Sequence, residues 1–384
     1  MKINNRLDSI GVYHFKTIDD IKAKLKREGK RIIDLSIGDP DLNVDDSILQ
    51  GLVKGFEHED FNKYPPYDGI NELKCAVINY YYNRFGVSLD LDEVVILIGS
   101  KEGISNVIPA VCDVGDIVIV PQPGYPVYST CAKLWGCLTY TVPIKESNNY
   151  LMDVSEIPDD VVSVAKLIFI NYPNNPTGAK GNPKFFSTII EFCKENNIVL
   201  CNDAAYNEII SPGETPISIL QFDESKHSIE FGTFSKLYNM TGFRIGYAVG
   251  NKEVISSLLK VKSNLDSGQF IPIQIAACEA LKLNEVYGEK IREIYAQRKA
   301  TAEKILTEKN IEFFHSDSTF YIWCKTPKGY TTNEFCSDIL QKHGVVVTPG
   351  SCFGTLGYDF FRIALTSDAN VIKEGLSKLD KYNV

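Results

Sequence analysis

Lys236 stands in Gly232-Thr233-Phe234-Ser235-Lys236-Leu237-Tyr238-Asn239-Met240-Thr241-Gly242-Phe243-Arg244-Ile245-Gly246, eight residues ahead of Arg244. An amine framed by hydroxyls and glycines, with a guanidinium one short loop later, suits a Schiff base formed beside a phosphate. A single lysine in a chain this size is by default a solvated surface group. The default weakens here because five further motifs offer matching chemistry.

Gly99-Ser100-Lys101-Glu102-Gly103 follows a strong strand pattern and opens a helix, which brings N–H groups, a hydroxyl and the positive helix end to where a phosphate could sit. Alone it reads equally as a plain strand–helix turn. Pro123-Gly124-Tyr125-Pro126 puts an aromatic at the end of another strand, as a loop anchor or as a flat face for a ring. Asn171-Tyr172-Pro173-Asn174-Asn175-Pro176-Thr177-Gly178 has turn composition. Asp203, in Asp203-Ala204-Ala205-Tyr206, closes the run 198–201, where ligand sites of α/β sheets cluster; a helix N-cap is its competing role. Arg362 lies in the apolar Phe361-Arg362-Ile363-Ala364-Leu365 and needs either a ligand anion or an internal carboxylate. Pyridoxal 5'-phosphate (PLP) needs such a set: an amine for its aldehyde, donors and cations for its phosphate, and a carboxylate for its ring nitrogen.

These motifs together resemble the class I/II aminotransferases of PLP fold type I, from Gly38 to Arg362. The resemblance implies that Lys236 carries the cofactor and acts as the catalytic base. Ser100, Lys101, Thr233, Ser235 and Arg244 would hold its phosphate. Tyr125 would stack on its ring, Asp203 would pair with the ring nitrogen, and Asn175 and Tyr206 would donate to its phenolic oxygen. Arg362 would bind the substrate α-carboxylate, which the backbone at Gly38 would approach, with Asn175 nearby. Tyr64, in Lys63-Tyr64-Pro65-Pro66-Tyr67, matches a tyrosine that reaches the phosphate in the neighbouring subunit, so a homodimer with a shared site is implied; the loop Asn264–Gly268 is a second candidate for crossing over.

A narrower likeness lies in Gly99-Ser100-Lys101-Glu102-Gly103-Ile104, Tyr238-Asn239-Met240-Thr241-Gly242-Phe243-Arg244, Lys262-Ser263-Asn264-Leu265-Asp266-Ser267-Gly268 and Val347-Thr348-Pro349-Gly350, which look like LL-diaminopimelate aminotransferases and their relatives. Thr233 stands where a serine is common, and Phe243 where that subgroup often has tryptophan. The expected activity is amino-group transfer from an L-amino acid to a 2-oxo acid, with 2-oxoglutarate and glutamate as one pair, in lysine biosynthesis. Alternatives of the same fold are an aromatic, aspartate or neutral amino acid aminotransferase, or a C–S lyase. A PLP-binding transcriptional regulator would need a DNA-reading domain ahead of Gly38, and no basic helix precedes it. A cation for a distal substrate group is expected from the region 10–20 or from a partner loop.

Composition sets the outer bounds. The 384 residues suffice for about two domains, and 44% apolar with 23% charged residues is ordinary for a globular chain. A net charge of −9 without a basic stripe argues against nucleic acid and anionic membranes as partners. No apolar run approaches the roughly 20 residues of a membrane helix, and the polar Met1-Lys2-Ile3-Asn4-Asn5-Arg6 leads into no apolar core of a secretion signal. The ten scattered cysteines read as reduced, mostly core thiols of a cytoplasmic protein, and the five dispersed histidines predict no metal site.

Those motifs need a scaffold. Val94–Ile98, Ile117–Val120, Leu167–Ile170 and Ile198–Cys201 are apolar on both faces and predict buried parallel strands; helical patterns fill 102–112, 126–136, 183–196 and 252–263. Ile245–Val249 continues the strand count. From about 272 the pattern becomes α+β: a long helix over 286–309, strands at 319–323, 345–347 and 361–365, and a helix over 331–343. The expected fold is α/β, with a large PLP-binding domain (46–271) built on a mostly parallel sheet flanked by helices. Residues 1–45 and 272–384 would form a smaller α+β domain.

Overall fold

The computed structural model describes residues 4–7, 21–23, 25, 27–283 and 285–379. The N-terminal hexapeptide is described only in part, and positions 10–20 lie outside the described residues.

Seven strands form the central sheet: β2 (Val94–Leu97), β3 (Ile117–Gln122), β4 (Leu138–Pro143), β5 (Ala165–Ile170), β6 (Val199–Asp203), β7 (Ile229–Thr233) and β8 (Gly246–Gly250), in the order β2-β8-β7-β6-β5-β3-β4. β1 (Ile33–Asp34) lies apart from this sheet. The period-2 alternation of a strand sends successive side chains to opposite faces. Val95, Leu97, Val118, Val120, Leu167 and Phe169 enter one core with Ile104, Val107, Tyr128 and Leu258. Ile96, Ile119, Ile168, Ile170 and Leu200 enter the other, with Leu73, Val77, Ile189 and Ile190. Helices therefore cover both faces: Ser100–Val111, Val127–Trp135 and Lys252–Lys262 on the first, Asn71–Phe85 and Pro183–Glu195 on the second. Each fully buried aliphatic or aromatic side chain contributes about 1.5–3 kcal/mol, which is why these runs carry no polar alternation.

One strand expectation needs correction. Val94–Leu97 was expected to pair in parallel, but its partner is Gly246–Gly250, and that pairing is antiparallel. Gly246–Gly250 is also antiparallel to Ile229–Thr233 and is the one reversed strand of the sheet; burial under helices on both faces, rather than parallel pairing, makes Val94–Leu97 wholly apolar. Leu138–Pro143 and Ile229–Thr233 went unread. The former is a half-exposed edge, and the latter is interrupted by Glu230 and Gly232.

A separate antiparallel sheet joins β9 (Phe313–Phe314), β10 (Tyr321–Lys325), β12 (Thr348–Pro349) and β13 (Phe360–Ala364). The short parallel pair of β1 with β11 (Val345–Val346) brings the N-terminal segment onto this side of the molecule. Leu35 extends the attachment: its N–H donates to Val346 O and its carbonyl accepts from Ala364 N–H, both at 2.8 Å. The residues that follow, Ser36–Gly38, are thereby held between the two sheets.

Candidate active site

The C-terminal ends of the large-sheet strands, with the segment 36–38 and strand β13, enclose a cavity of about 460 Å³. Connections leaving those strand ends expose backbone groups there, and the motifs that begin at Gly99, Pro123, Asn171, Asp203 and Thr233 are such connections. Gly38, Ser100, Lys101, Tyr125, Asn175 and Asp203 line the cavity, as do Tyr206, Thr233, Ser235, Lys236, Arg244 and Arg362. Tyr64 does not: it is 86% exposed, away from the cavity of its own chain.

Lys236 follows strand β7 by three residues, and its Nζ donates to Gly38 O at 2.8 Å. The ammonium also lies 5.8 Å from the ring centres of Tyr206 and Phe320. Burial lowers its pKa, because the charged form loses solvation there; Asp39 and Asp203 oppose the shift. A free amine is thereby made more accessible near neutral pH.

Asp203 is the last residue of β6 and is 4% exposed. No helix follows it, so the N-cap alternative falls away; residues 205–208 form a turn. Burial pushes its carboxyl up to about 6, against the Tyr128 hydroxyl, the Ala205 N–H and the charge of Lys236. Tyr128 Oη donates to Oδ2 at 2.7 Å, while Oδ1 is buried with no hydrogen-bond partner. A buried carboxylate oxygen with no donor is costly, and marks where a donor from a ligand belongs.

At the other end of the cavity, Gly99 takes a left-handed φ of +77° and starts helix Ser100–Val111, so the strand–helix turn reading also holds. A Cβ on Gly99 would lie 2.6 Å from Arg244 Nη2, which shows how closely the guanidinium approaches that helix N-terminus. Arg244 Nη1 is steadied by Thr241 O at 2.9 Å. Thr233 Oγ1 donates to Ser235 Oγ at 3.0 Å and accepts from Ser235 N–H at 3.2 Å. Hydroxyls, a guanidinium, Lys101 and a helix N-terminus thus converge in an anion cup.

Arg362 is 4% exposed, and its partners among the described residues are neutral. Nη1 donates to Asn175 Oδ1 at 2.7 Å; Nη2 donates to Ser36 O at 2.6 Å and to Thr348 Oγ1 at 3.3 Å. Nε is buried without a partner. Of the two sequence alternatives, an internal carboxylate finds no counterpart among the described residues. Because Asn175 Oδ1 faces Arg362, its amide N–H₂ is the side left to donate elsewhere.

Tyr321, which sequence reasoning missed, completes this wall. Its hydroxyl lies 2.9 Å from that of Tyr206, and its ring lies 4.0 Å from the Arg362 guanidinium carbon. Tyr128, three residues past Tyr125, was likewise given no role; its ring stacks on Phe169 with centroids 5.0 Å apart. No local signal marks either residue, since both act through partners distant in sequence.

The described residues contain no group of three or more His, Cys, Asp or Glu that could hold a metal ion, and no helix long and apolar enough to cross a membrane. The family model described as aminotransferase class I and II matches residues 30–379. Among similar proteins, the LL-diaminopimelate aminotransferase of Aquifex aeolicus is 44% identical over 380 residues, 98% of each chain. That of Natranaerobius thermophilus is 40% identical over 384 residues, 100% of each. The substrate-bound BacF structure from Bacillus subtilis superposes with a TM-score of 0.96 at 31% identity, covering 100% of this chain and 99% of that one. Matched end to end in sequence and in fold, this enzyme belongs to the class I and II aminotransferases.

Proposed function

We propose that the enzyme binds PLP through Lys236 and transfers the amino group of LL-diaminopimelate to 2-oxoglutarate, as a step of lysine biosynthesis. The observation that carries the cofactor reading is the unpartnered Asp203 Oδ1, buried in the same cavity as Lys236 and the anion cup. A protonated ring nitrogen is the donor that this oxygen lacks, and the cup has the hydroxyls and cations that a phosphate requires. Support for the substrate comes from the two relatives named above, which are similar over essentially their whole length.

When bound, the cofactor supplies an aldehyde for the substrate amine and a ring that withdraws electrons from Cα. The protein's own groups do the rest. Asp203 keeps the ring nitrogen protonated. Arg362 binds the α-carboxylate and so orients the Cα–H bond. Lys236 Nζ, made less basic by its burial, takes the Cα proton and later returns a proton on the same face. Tyr206 and Asn175 would donate to the cofactor's phenolic oxygen, and Tyr125 would cover its ring.

The same reading includes a cytoplasmic homodimer. The ten cysteines are all free and nine are buried, in keeping with a reducing compartment. Tyr64, Val53 (68%), Phe56 (50%) and Phe270 (40%) are all exposed, with the rings of Phe56 and Phe270 6.0 Å apart, apolar surface suited to a second copy. The division into 46–271 against 1–45 with 272–384 is also proposed; its support is the strand pairing of Ile33–Asp34 with Val345–Val346.

The test mixes the yellow holoenzyme, without any acceptor, with single amino acids and follows its visible band. Rapid bleaching by LL-diaminopimelate and glutamate is expected. Bleaching by phenylalanine or aspartate, with diaminopimelate inert, would reassign the substrate. A protein with no affinity for PLP would overturn the cofactor reading.

A further inference from the structure

We propose that Tyr321 is a positioning residue: its hydroxyl donates to Tyr206 and so commits the one proton of Tyr206 to a ligand in the cavity. The inference rests on the reading above, in which that proton goes to the phenolic oxygen of the cofactor. Both tyrosines are buried and both line the cavity. Their hydroxyl oxygens lie 2.9 Å apart, the distance of one hydrogen bond. Each hydroxyl has a single proton to give, so one proton lies between the two oxygens and the other points elsewhere.

The surroundings decide which proton is which. The Arg362 guanidinium, 4.0 Å from the centre of the Tyr321 ring, has no lone pair to offer. Gly38 packs against the hydroxyl so closely that a Cβ there would lie 1.8 Å from Tyr321 Oη. Among the described residues the Tyr321 hydroxyl has Tyr206 as its one hydrogen-bond partner. With Tyr206 as donor, the Tyr321 proton would be buried without an acceptor, which is costly. With Tyr321 as donor, both protons are used and Tyr206 keeps its own for the ligand. Burial holds the Tyr206 hydroxyl well above the ordinary phenol range, so it remains a donor at neutral pH. The pair is also held by the chain around it. Tyr321 pairs with Ala364 in the small sheet, and the rings of Tyr206 and Tyr321 meet edge to face with centroids 5.4 Å apart. Just ahead of Tyr321, Thr319 N–H donates to Ile209 O at 2.7 Å and Ser318 bridges to Ile210, which ties this segment to the turn that carries Tyr206. The geometry is therefore preorganised rather than dependent on the hydroxyl contact itself.

The readout is the pH at which the visible band of the PLP-loaded protein changes, because donors to the phenolic oxygen stabilise its negative charge and lower that pH. Tyr321→Phe keeps the ring on Arg362 and removes only the hydroxyl. It should raise the transition by about half a unit to one unit, the worth of one hydrogen bond. Tyr206→Phe should raise it at least as far, and the double variant should match Tyr206→Phe, since Tyr321 acts through Tyr206. A transition moved by Tyr206→Phe but not by Tyr321→Phe would overturn the proposal and leave the role of Tyr206 standing. A full further rise on adding Tyr321→Phe to Tyr206→Phe would also sink it, by showing that Tyr321 acts on the ligand directly. A transition that neither variant moves would remove Tyr206 from the phenolic oxygen, and the proposal with it.

Discussion

Tyr128 Oη donates to Asp203 Oδ2 at 2.7 Å across 75 residues of sequence, which leaves Oδ1 as the only oxygen of that carboxylate open to a ligand. The pairing also sets how the carboxylate titrates. In the cofactor-free protein the folded pKa is raised to about 6, whereas the unfolded chain ionises near 3.8. Between those values the unfolded state holds fewer protons, so stability should fall as pH rises from about 4 to about 6, by up to about 3 kcal/mol. Tyr128→Phe removes a donor that favours the charged form and should carry the decline to higher pH. Thermal melts across pH 4–8 check this. An Asp203→Asn variant whose pH profile matches that of wild type would refute it.

Lys236→Ala should leave a folded protein with turnover reduced by at least about a thousandfold, since both the covalent attachment point and the base are lost. Borohydride reduction followed by peptide mass analysis should find the cofactor on the Lys236 peptide of wild type only. Full turnover by the variant would dismiss the proposed mechanism.

Gly99→Ala places a Cβ 2.6 Å from Arg244 Nη2 at a φ of +77°. With ψ at 154° this backbone lies in a region that essentially only glycine adopts, costing a non-glycine residue about 1–3 kcal/mol, and the guanidinium must also move. Affinity for PLP should drop at least tenfold by fluorescence titration, with only a few degrees lost in Tm. An unchanged affinity would remove Arg244 from the phosphate cup.

Gly38→Ala tests the carboxylate side. The new Cβ would lie 1.8 Å from Tyr321 Oη, and the Gly38 carbonyl is the acceptor for Lys236 Nζ. We expect kcat/KM to fall at least a hundredfold, with Tyr321→Phe in the same chain recovering part of it. Kinetics of the single and double variants decide the matter; no recovery would mean that the clash with the hydroxyl is not the cause.

Tyr64 offers a test of the shared site. Tyr64→Ala and Lys236→Ala should each be weak or inactive as pure dimers. Mixed by co-expression, they should regain activity, because one of the two sites in a hybrid dimer then has both native residues. Absence of rescue in verified hybrid dimers would show that Tyr64 does not serve the neighbouring subunit.

Legibility followed distance along the chain. Gly99–Lys101, Asn171–Gly178, Asp203 and Thr233–Arg244 were readable as connections because each is short and sits at a strand end, where local composition suffices to mark a loop and its charge. The apolar runs at 117–120 and 167–170 declared their burial for the same reason. What tertiary structure alone decided was long-range pairing. Glu230 concealed strand Ile229–Thr233 in the sequence, and is tolerated in the core only because Tyr81, Asn202 and Ser218 donate to it from elsewhere. The direction of Gly246–Gly250, the Tyr128–Asp203 bond and the approach of Tyr321 to Arg362 likewise join residues that no sequence spacing relates. Residue types determine which chemistry is available; side chains far apart in the chain must be packed together before it is known which of them act on one another.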